Sequence, residues 1–191
     1  EASNYQKKNS NLFRYEKFLS ENLNYKISKN YSKLLNWSIK NNQKFWSSIW
    51  DFCNVKGYKK NKFNFSKDII KNKFFVESKL NFAENLLSKN DRSKAITFIS
   101  ESGYKDIRTW KEINENTSKI INFFKKINIK EKDRVAAYVP NSIESIISFL
   151  AVSKNGLIWS SCSPDFGVEG VVDRFHQIKP KILITCEYYF Y

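Results

Sequence analysis

Apolar positions recur with two different periods along this chain, and the change falls near Ala95. Before it the spacing is helical. In Tyr31–Asn41 (YSKLLNWSIKN), Leu34, Leu35, Trp37 and Ile39 cluster loosely. Phe45, Trp46, Ile49, Trp50 and Phe52 then follow one another at i, i+1, i+4, i+5 and i+7. That second set puts a broad aromatic face on one helix, and core packing against a neighbouring domain is the expected use of so much ring surface. Residues 56–79 show little periodicity and read as an extended connector.

From Ala95 the runs shorten and alternate in kind. Ala95–Ile99 (AITFI) reads as a strand, and Tyr104–Arg108 (YKDIR) returns beside it through a Ser102-Gly103 turn. Thr109 caps the next helix with Glu112 as its reciprocal partner, and Ile113, Thr117, Ile120, Ile121, Phe124 and Ile127 form its apolar stripe. Val135–Val139 (VAAYV) is continuously apolar, as befits a strand covered on both faces. Pro140 breaks it. Asn141 and Glu144 are then the expected cap pair of a helix over Ile143–Lys154, which Gly156 closes in a left-handed conformation. Leu157–Ser160, Val168–Gln177 and Lys181–Thr185 (KILIT) follow as strand, helix and strand. Strand–helix–strand–helix–strand at these spacings requires right-handed crossovers and a parallel α/β layer, with the hairpin ahead of it.

The composition narrows the function classes. The 31 aromatic residues (16 Phe, 10 Tyr, 5 Trp) are too many for a solvated tail, and only five Gly and three Pro exclude collagen-like and low-complexity chains. The length, 191 residues, suffices for one ordinary domain or part of a larger one. Three scattered cysteines (Cys53, Cys162, Cys186) offer neither a disulfide framework nor a zinc ribbon, and fit a reducing compartment. One histidine, His176, leaves no His-based metal site, and a structural role is its expected one. For the neighbouring Asp173 and Arg174, surface pairing is expected. The longest apolar stretch, Ile143–Trp159, is interrupted by Glu144, Lys154 and Asn155 and does not span a bilayer. With no signal peptide in view, the expectation is a soluble cytoplasmic chain that does not engage membranes.

The net charge of +14 raises nucleic acid as a partner. It is concentrated in the first 79 residues, where 17 Lys+Arg face 6 acids, against 16 and 13 afterwards. Only 5 of the 33 basic residues are Arg, whereas phosphate-clamping and base-reading surfaces favour its bidentate fork. Lys56–Lys73 (KGYKKNKFNFSKDIIKNK) interleaves Lys with Phe and Tyr as single-strand binders do, but a solvated connector is the preferred reading and nucleic acid is not an expected partner.

No phosphate-loop, dinucleotide, nucleophile-elbow or zincin motif is intact. The most informative segment is Ser160–Gly170 (SSCSPDFGVEG), between a strand end and a helix start. Ligands of parallel sheets meet such loops at the carboxyl ends of strands. Its small hydroxyls, Pro, Asp and two Gly allow close backbone approach, and the amides after Gly167 present a helix N-terminus suited to phosphate. Any strand-to-helix loop also needs turn residues of this kind. Cys162, with no base near it in sequence, reads as a small packing residue. The final Tyr188-Tyr189-Phe190-Tyr191 follows the last apolar strand directly. A three-stranded layer without continuation would expose an apolar edge, so the chain is expected to be the N-terminal piece of a longer polypeptide, as the missing initial Met also suggests.

Three runs carry a resemblance: Leu80–Leu87 (LNFAENLL), Asp133–Val152 (DRVAAYVPNSIESIISFLAV) and Gly156–Leu183 (GLIWSSCSPDFGVEGVVDRFHQIKPKIL). They resemble the acetoacetyl-CoA synthetases of the adenylate-forming superfamily. The helices around Trp37, Trp46 and Trp50 are similar to the N-terminal extension of acetyl- and acetoacetyl-CoA synthetases. The most diagnostic part is WSSCSPDFG (Trp159–Gly167), since acetyl-CoA synthetases have a Phe-Gly-Gly run at Ser163, Pro164 and Asp165. The resemblance implies an α/β fold: a helical extension with connector over residues 1–90, then the truncated opening of an AMP-binding domain over residues 91–191. It implies a ligase that uses ATP, CoA and Mg²⁺ to convert acetoacetate to acetoacetyl-CoA through an acyl-adenylate. The family's phosphate loop, nucleotide contacts, hinge and adenylating Lys are expected beyond Tyr191, as are the Arg residues that assist the CoA phosphates. No catalytic residue or metal ligand is therefore transferred, and residues 1–191 alone are expected to be inactive. The resemblance implies that Ser163, Pro164 and Asp165 contact the adenine end of CoA, as the matching loop of acetyl-CoA synthetases does. The expected partners are acetoacetate, ATP, CoA and the remainder of the same polypeptide. The alternatives are another short-chain acyl-CoA synthetase (acetyl or propionyl), a nonenzymatic basic module, and a complete small nucleotide-binding domain.

Overall fold

A computed structural model describes residues 3–187 of the chain, so the aromatic run Tyr188–Tyr191 lies outside the described residues. The chain forms two compact units, residues 1–80 and 81–191.

The first unit is helical. Helices α1 (Asn4–Asn9), α2 (Asn11–Leu23) and α3 (Tyr31–Lys40) begin at Ser3, Ser10 and Asn30, whose side chains accept from amides in the first turn. Helix α4 (Asn42–Phe52) carries the aromatic face. That face docks inside its own unit: Phe45 and Phe52 meet Tyr15 of α2 at 6.2 and 5.1 Å between ring centroids, and Trp50 meets Phe75 at 4.9 Å. Tyr15, Leu19 and Leu34 are the buried centre, and the Tyr15 hydroxyl reaches Ser48 at 2.7 Å. Burial raises the Tyr15 pKa.

The connector is more ordered than its lack of period suggests. Strands β1 (Gly57–Tyr58) and β2 (Lys79–Leu80) pair antiparallel, and a 3₁₀ turn at Ile69–Lys71 lies between them. Phe63, Phe65, Phe74 and Phe75 form an aromatic cluster within it. Its lysines are partly neutralised, Lys59 by Asp51 at 2.6 Å, and Lys60 and Lys62 by Glu77 at 2.6 and 2.7 Å. Two-residue strands and ring contacts leave no periodic signature in sequence, which is why this segment reads as featureless.

The second unit opens with the short helix α5 (Phe82–Leu86), capped by Asn81, whose amide nitrogen also donates to the Ser153 carbonyl at 2.8 Å. Strands β3 (Lys94–Ile99) and β4 (Lys105–Thr109) form the expected hairpin, turning at Gly103 with φ +82°. Thr109 and Glu112 make the reciprocal capping box of α6 (Trp110–Lys126). Strand β5 (Arg134–Tyr138) then leads to α7 (Ile143–Lys154). Here the cap differs from expectation: Ser142, not Asn141, accepts from the Ser145 amide at 3.2 Å. A hydroxyl directly ahead of the first helical residue has the shorter reach to that amide. Gly156 closes the helix at φ +69°.

Strand β6 runs Ile158–Cys162, further than Ser160, because parallel pairing with β5 continues to Tyr138 opposite Cys162. Helix α8 (Val168–Ile178) leads to β7 (Ile182–Thr185), which pairs with the other side of β5. The order β6-β5-β7 makes β5 central, and Val135, Ala136 and Ala137 are wholly buried. Alternation then splits the sheet into two faces. Val135, Trp159, Ile182 and Ile184 pack with Phe124 of α6 and Ala151 and Val152 of α7. Ala136, Tyr138 and Cys162 pack with Val171, Phe175 and Ile178 of α8. The first crossover leads from β5 to β6 and the second back from β6 past β5 to β7, and α7 and α8 lie against opposite faces of the sheet, as right-handed crossovers require.

A charged tie closes the start of this layer. Lys181 Nζ lies 2.9 Å from Asp133 Oδ2, and the Lys130 amide donates to the same oxygen at 2.7 Å. These two bonds hold the Asp133 carboxyl below its ordinary pKa. A depressed folded-state pKa means the tie contributes fully above the unfolded value of about 4 and is lost as pH falls through the folded one. Asp133→Asn is therefore expected to lower the urea midpoint at pH 7. The gap to the parent chain should close on acidification below about pH 4; a gap independent of pH would contradict the assignment.

Candidate functional site

The carboxyl end of the parallel layer is where the informative loop sits. Tyr138 ends β5, Cys162 ends β6 beside it, and Ser163–Gly167 connects β6 to α8. The loop folds on itself. Ser163 Oγ donates to Asp165 Oδ2 at 2.6 Å, and the Phe166 amide donates to the Ser163 carbonyl at 3.2 Å. From the sheet, the Tyr138 hydroxyl reaches two loop carbonyls, Pro164 at 2.7 Å and Phe166 at 3.1 Å. From the helix, the Arg174 guanidinium lies 4.5 Å from the centre of the Phe166 ring, a cation–π contact. Gly167 stands at the N-cap of α8 with no side-chain cap bond, so the first-turn amides keep their donors unspent on a cap.

Ser163, Pro164 and Asp165 thus come together at one loop tip. Ser163 and Pro164 are half-buried and Asp165 is exposed. Ser163 also borders a cleft of ≈ 380 Å³ on the α7 face, lined by Pro140, Asn141, Ser145, Phe149 and Trp159 among others. Cys162 is 5% exposed and packs with Ala136 and Phe175, so the thiol fills core rather than facing a substrate. His176 is exposed on α8. Asp173 accepts from Gln177 at 3.4 Å, and Arg174 stacks on Phe166. Sequence reasoning passed over Tyr138 because VAAYV reads as uniformly apolar; a hydroxyl at the carboxyl end of a central strand was the available signal.

Among the described residues no group of three or more His, Cys, Asp or Glu could hold a metal ion. The resemblance implies Mg²⁺, and the described residues hold no such cluster for it. Among the described residues no helix is long and apolar enough to cross a membrane.

A loop between strand end and helix start, on a sheet covered on both sides, is the nucleotide-binding arrangement of α/β enzymes, and comparison gives the family. Residues 86–189 match the AMP-binding enzyme family, and the chain belongs to it. Its relatives include the acetoacetyl-coenzyme A synthetase of Rhizobium meliloti (strain 1021), 41% identical over 162 residues, covering 84% of this chain and 25% of that protein. The acetoacetyl-CoA synthetase of Xenopus tropicalis is 35% identical, covering 95% of this chain and 28% of its own. The fold is that of the acetoacetyl-CoA synthetase from Streptomyces lividans, with a TM-score of 0.88 at 24% identity, over 100% of this chain and 30% of that one. The chain spans about a quarter of the length of the curated relatives it matches.

Proposed function

We propose that this chain forms the N-terminal part of a cytoplasmic acid–thiol ligase that converts acetoacetate, ATP and CoA to acetoacetyl-CoA, AMP and pyrophosphate. A carboxylate is a poor acyl donor because its leaving group would be oxide. In the first step a carboxylate oxygen attacks the α-phosphorus of ATP, and pyrophosphate leaves. In the second the CoA sulfur attacks the acyl carbon, the bond to AMP breaks, and the thioester forms. Stabilising the charge that develops on the phosphate in the first step is the enzyme's main task. No residue of this chain is assigned to either bond-making step.

The part given to these residues is CoA binding by Ser163, Pro164 and Asp165 at its adenine end. The observation that carries the reading is the WSSCSPDFG loop itself, folded at the carboxyl end of β6 ahead of the uncapped α8. The relatives' name, acetoacetyl-CoA synthetase, supports the substrate. The test is pyrophosphate release. Residues 1–191 alone are expected to give none with acetoacetate, whereas the complete polypeptide should turn over acetoacetate in preference to acetate, propionate and butyrate. Turnover by residues 1–191, or a complete enzyme that prefers acetate, overturns the proposal.

A further inference from the structure

The loop that the proposed function assigns to CoA is fixed in part from outside itself. Its internal bonds join Ser163 to Asp165 and to Phe166, and its helical end lacks a side-chain cap. What ties it to the sheet is a hydroxyl from 26 residues earlier in the chain, on Tyr138, accepted by the Pro164 and Phe166 carbonyls at 2.7 and 3.1 Å. The tyrosine itself is anchored. It ends the central strand, in register with Cys162 on one side and Thr185 on the other, and its ring packs in the cluster of Ala136, Val171 and Phe175. The base of the loop is held by the Val139 amide, which donates to the Cys162 carbonyl at 3.3 Å.

We infer that Tyr138 is a positioning residue for CoA, acting through the backbone of the Ser163–Gly167 loop. The inference rests on the proposed role of that loop. A trans peptide is planar, with its C=O and the next N–H pointing in opposite directions. Drawing the Pro164 and Phe166 carbonyls towards the sheet therefore turns the Asp165 and Gly167 amides the other way. The Asp165 amide donates to Ser163 Oγ at 3.4 Å. The Gly167 amide opens the N-terminus of α8, where donors and the helix dipole favour an acceptor-rich ligand. Both carbonyls share one hydroxyl proton, so removing it releases two peptide planes at once. The Phe166 ring under Arg174 keeps the outer side of the loop in place and would confine the disturbance to those planes. Neither Tyr138 nor the released planes belong to the adenylating half of the reaction as proposed, so the effect should fall on CoA alone.

Tyr138→Phe keeps the ring and its packing and removes only the hydroxyl. In the complete polypeptide this variant is expected to raise the KM for CoA about tenfold, as loss of roughly one hydrogen bond's worth of loop order implies. The KM for ATP and carboxylate-dependent ATP–pyrophosphate exchange without CoA should stay within about twofold of the parent. An unchanged KM for CoA, or exchange that falls in parallel with it, overturns the inference, the second outcome marking Tyr138 as merely structural. Ser163→Ala and Asp165→Ala, assayed alongside, separate the two levels. If they raise the KM for CoA and Tyr138→Phe does not, the positioning role fails while the loop assignment stands. If none of the three changes it, the loop assignment fails and the inference falls with it.

Discussion

Phe124→Ala is expected to lower the unfolding free energy of the second unit by about 3–5 kcal/mol, while Phe123→Ala, one position away, should cost less than about 1 kcal/mol. Both rings lie on α6, their centroids 6.3 Å apart. Phe124 is 1% exposed and Phe123 52%, because a step of one residue on a helix turns the side chain by about 100°. Phe124 fills the space between α6, Val135 on the central strand and Ala151, Val152 and Leu157. That space cannot close when the ring is removed. Val135 is fixed by parallel pairing on both sides of its strand, and the alanine and valine of α7 have no side-chain length with which to follow. Cavity and transfer costs therefore add. Urea unfolding followed by far-UV circular dichroism gives both values, and equal costs for the two phenylalanines would show that α6 packs by another face.

That asymmetry was legible in the sequence, since the stripe Ile113, Thr117, Ile120, Ile121, Phe124 and Ile127 includes Phe124 and not Phe123, and Ile113, Thr117 and Phe124 are the buried residues of α6, whereas Ile127, just past the helix end, is 45% exposed. Strand β5 was legible for the same kind of reason: a continuously apolar run has no solvent face, and three of its residues are fully buried. What spacing does not reveal is anything that depends on a partner distant in sequence. The docking of Phe45 and Phe52 of α4 on Tyr15 spans thirty residues or more, and Lys59, Lys60 and Lys62 look like free charge until Asp51 and Glu77 are placed beside them. The choice of Ser142 over Asn141 as a cap was decided by a single residue of phase. At the site, the Ser163–Asp165 loop was visible as a change of composition at a strand end. Tyr138 was not, because its ring satisfies the apolar pattern of β5 while its hydroxyl serves residues 26 and 28 positions away.

Leu19→Ala is the corresponding experiment in the first unit, with an expected cost of about 2–5 kcal/mol, against less than about 1 kcal/mol for Leu23→Ala on the same helix. Leu19 is fully buried and Leu23 is 39% exposed. Leu19 sits where α2 and α3 meet, in a cluster with Tyr15 and Leu34 that Phe18, Tyr25, Trp37, Phe45, Ile49 and Phe52 surround. Most of those neighbours are aromatic rings already in contact with one another, Tyr15 tilted against Phe52 at 5.1 Å and Tyr25 edge-on to Trp37 at 5.2 Å. Rings in such contacts move as rigid plates and cannot spread into the volume of a lost isobutyl group, so the cavity persists. A unit of this size has only a few kcal/mol of stability in hand, and the substitution should therefore remove most of it. The expected readouts are loss of near-UV circular dichroism from the Tyr and Trp rings and faster hydrogen exchange at amides of α2 and α3 under native conditions. If Leu19→Ala leaves both unchanged, or costs no more than Leu23→Ala, the aromatic cluster is held by its rings alone and not by the leucine at its centre.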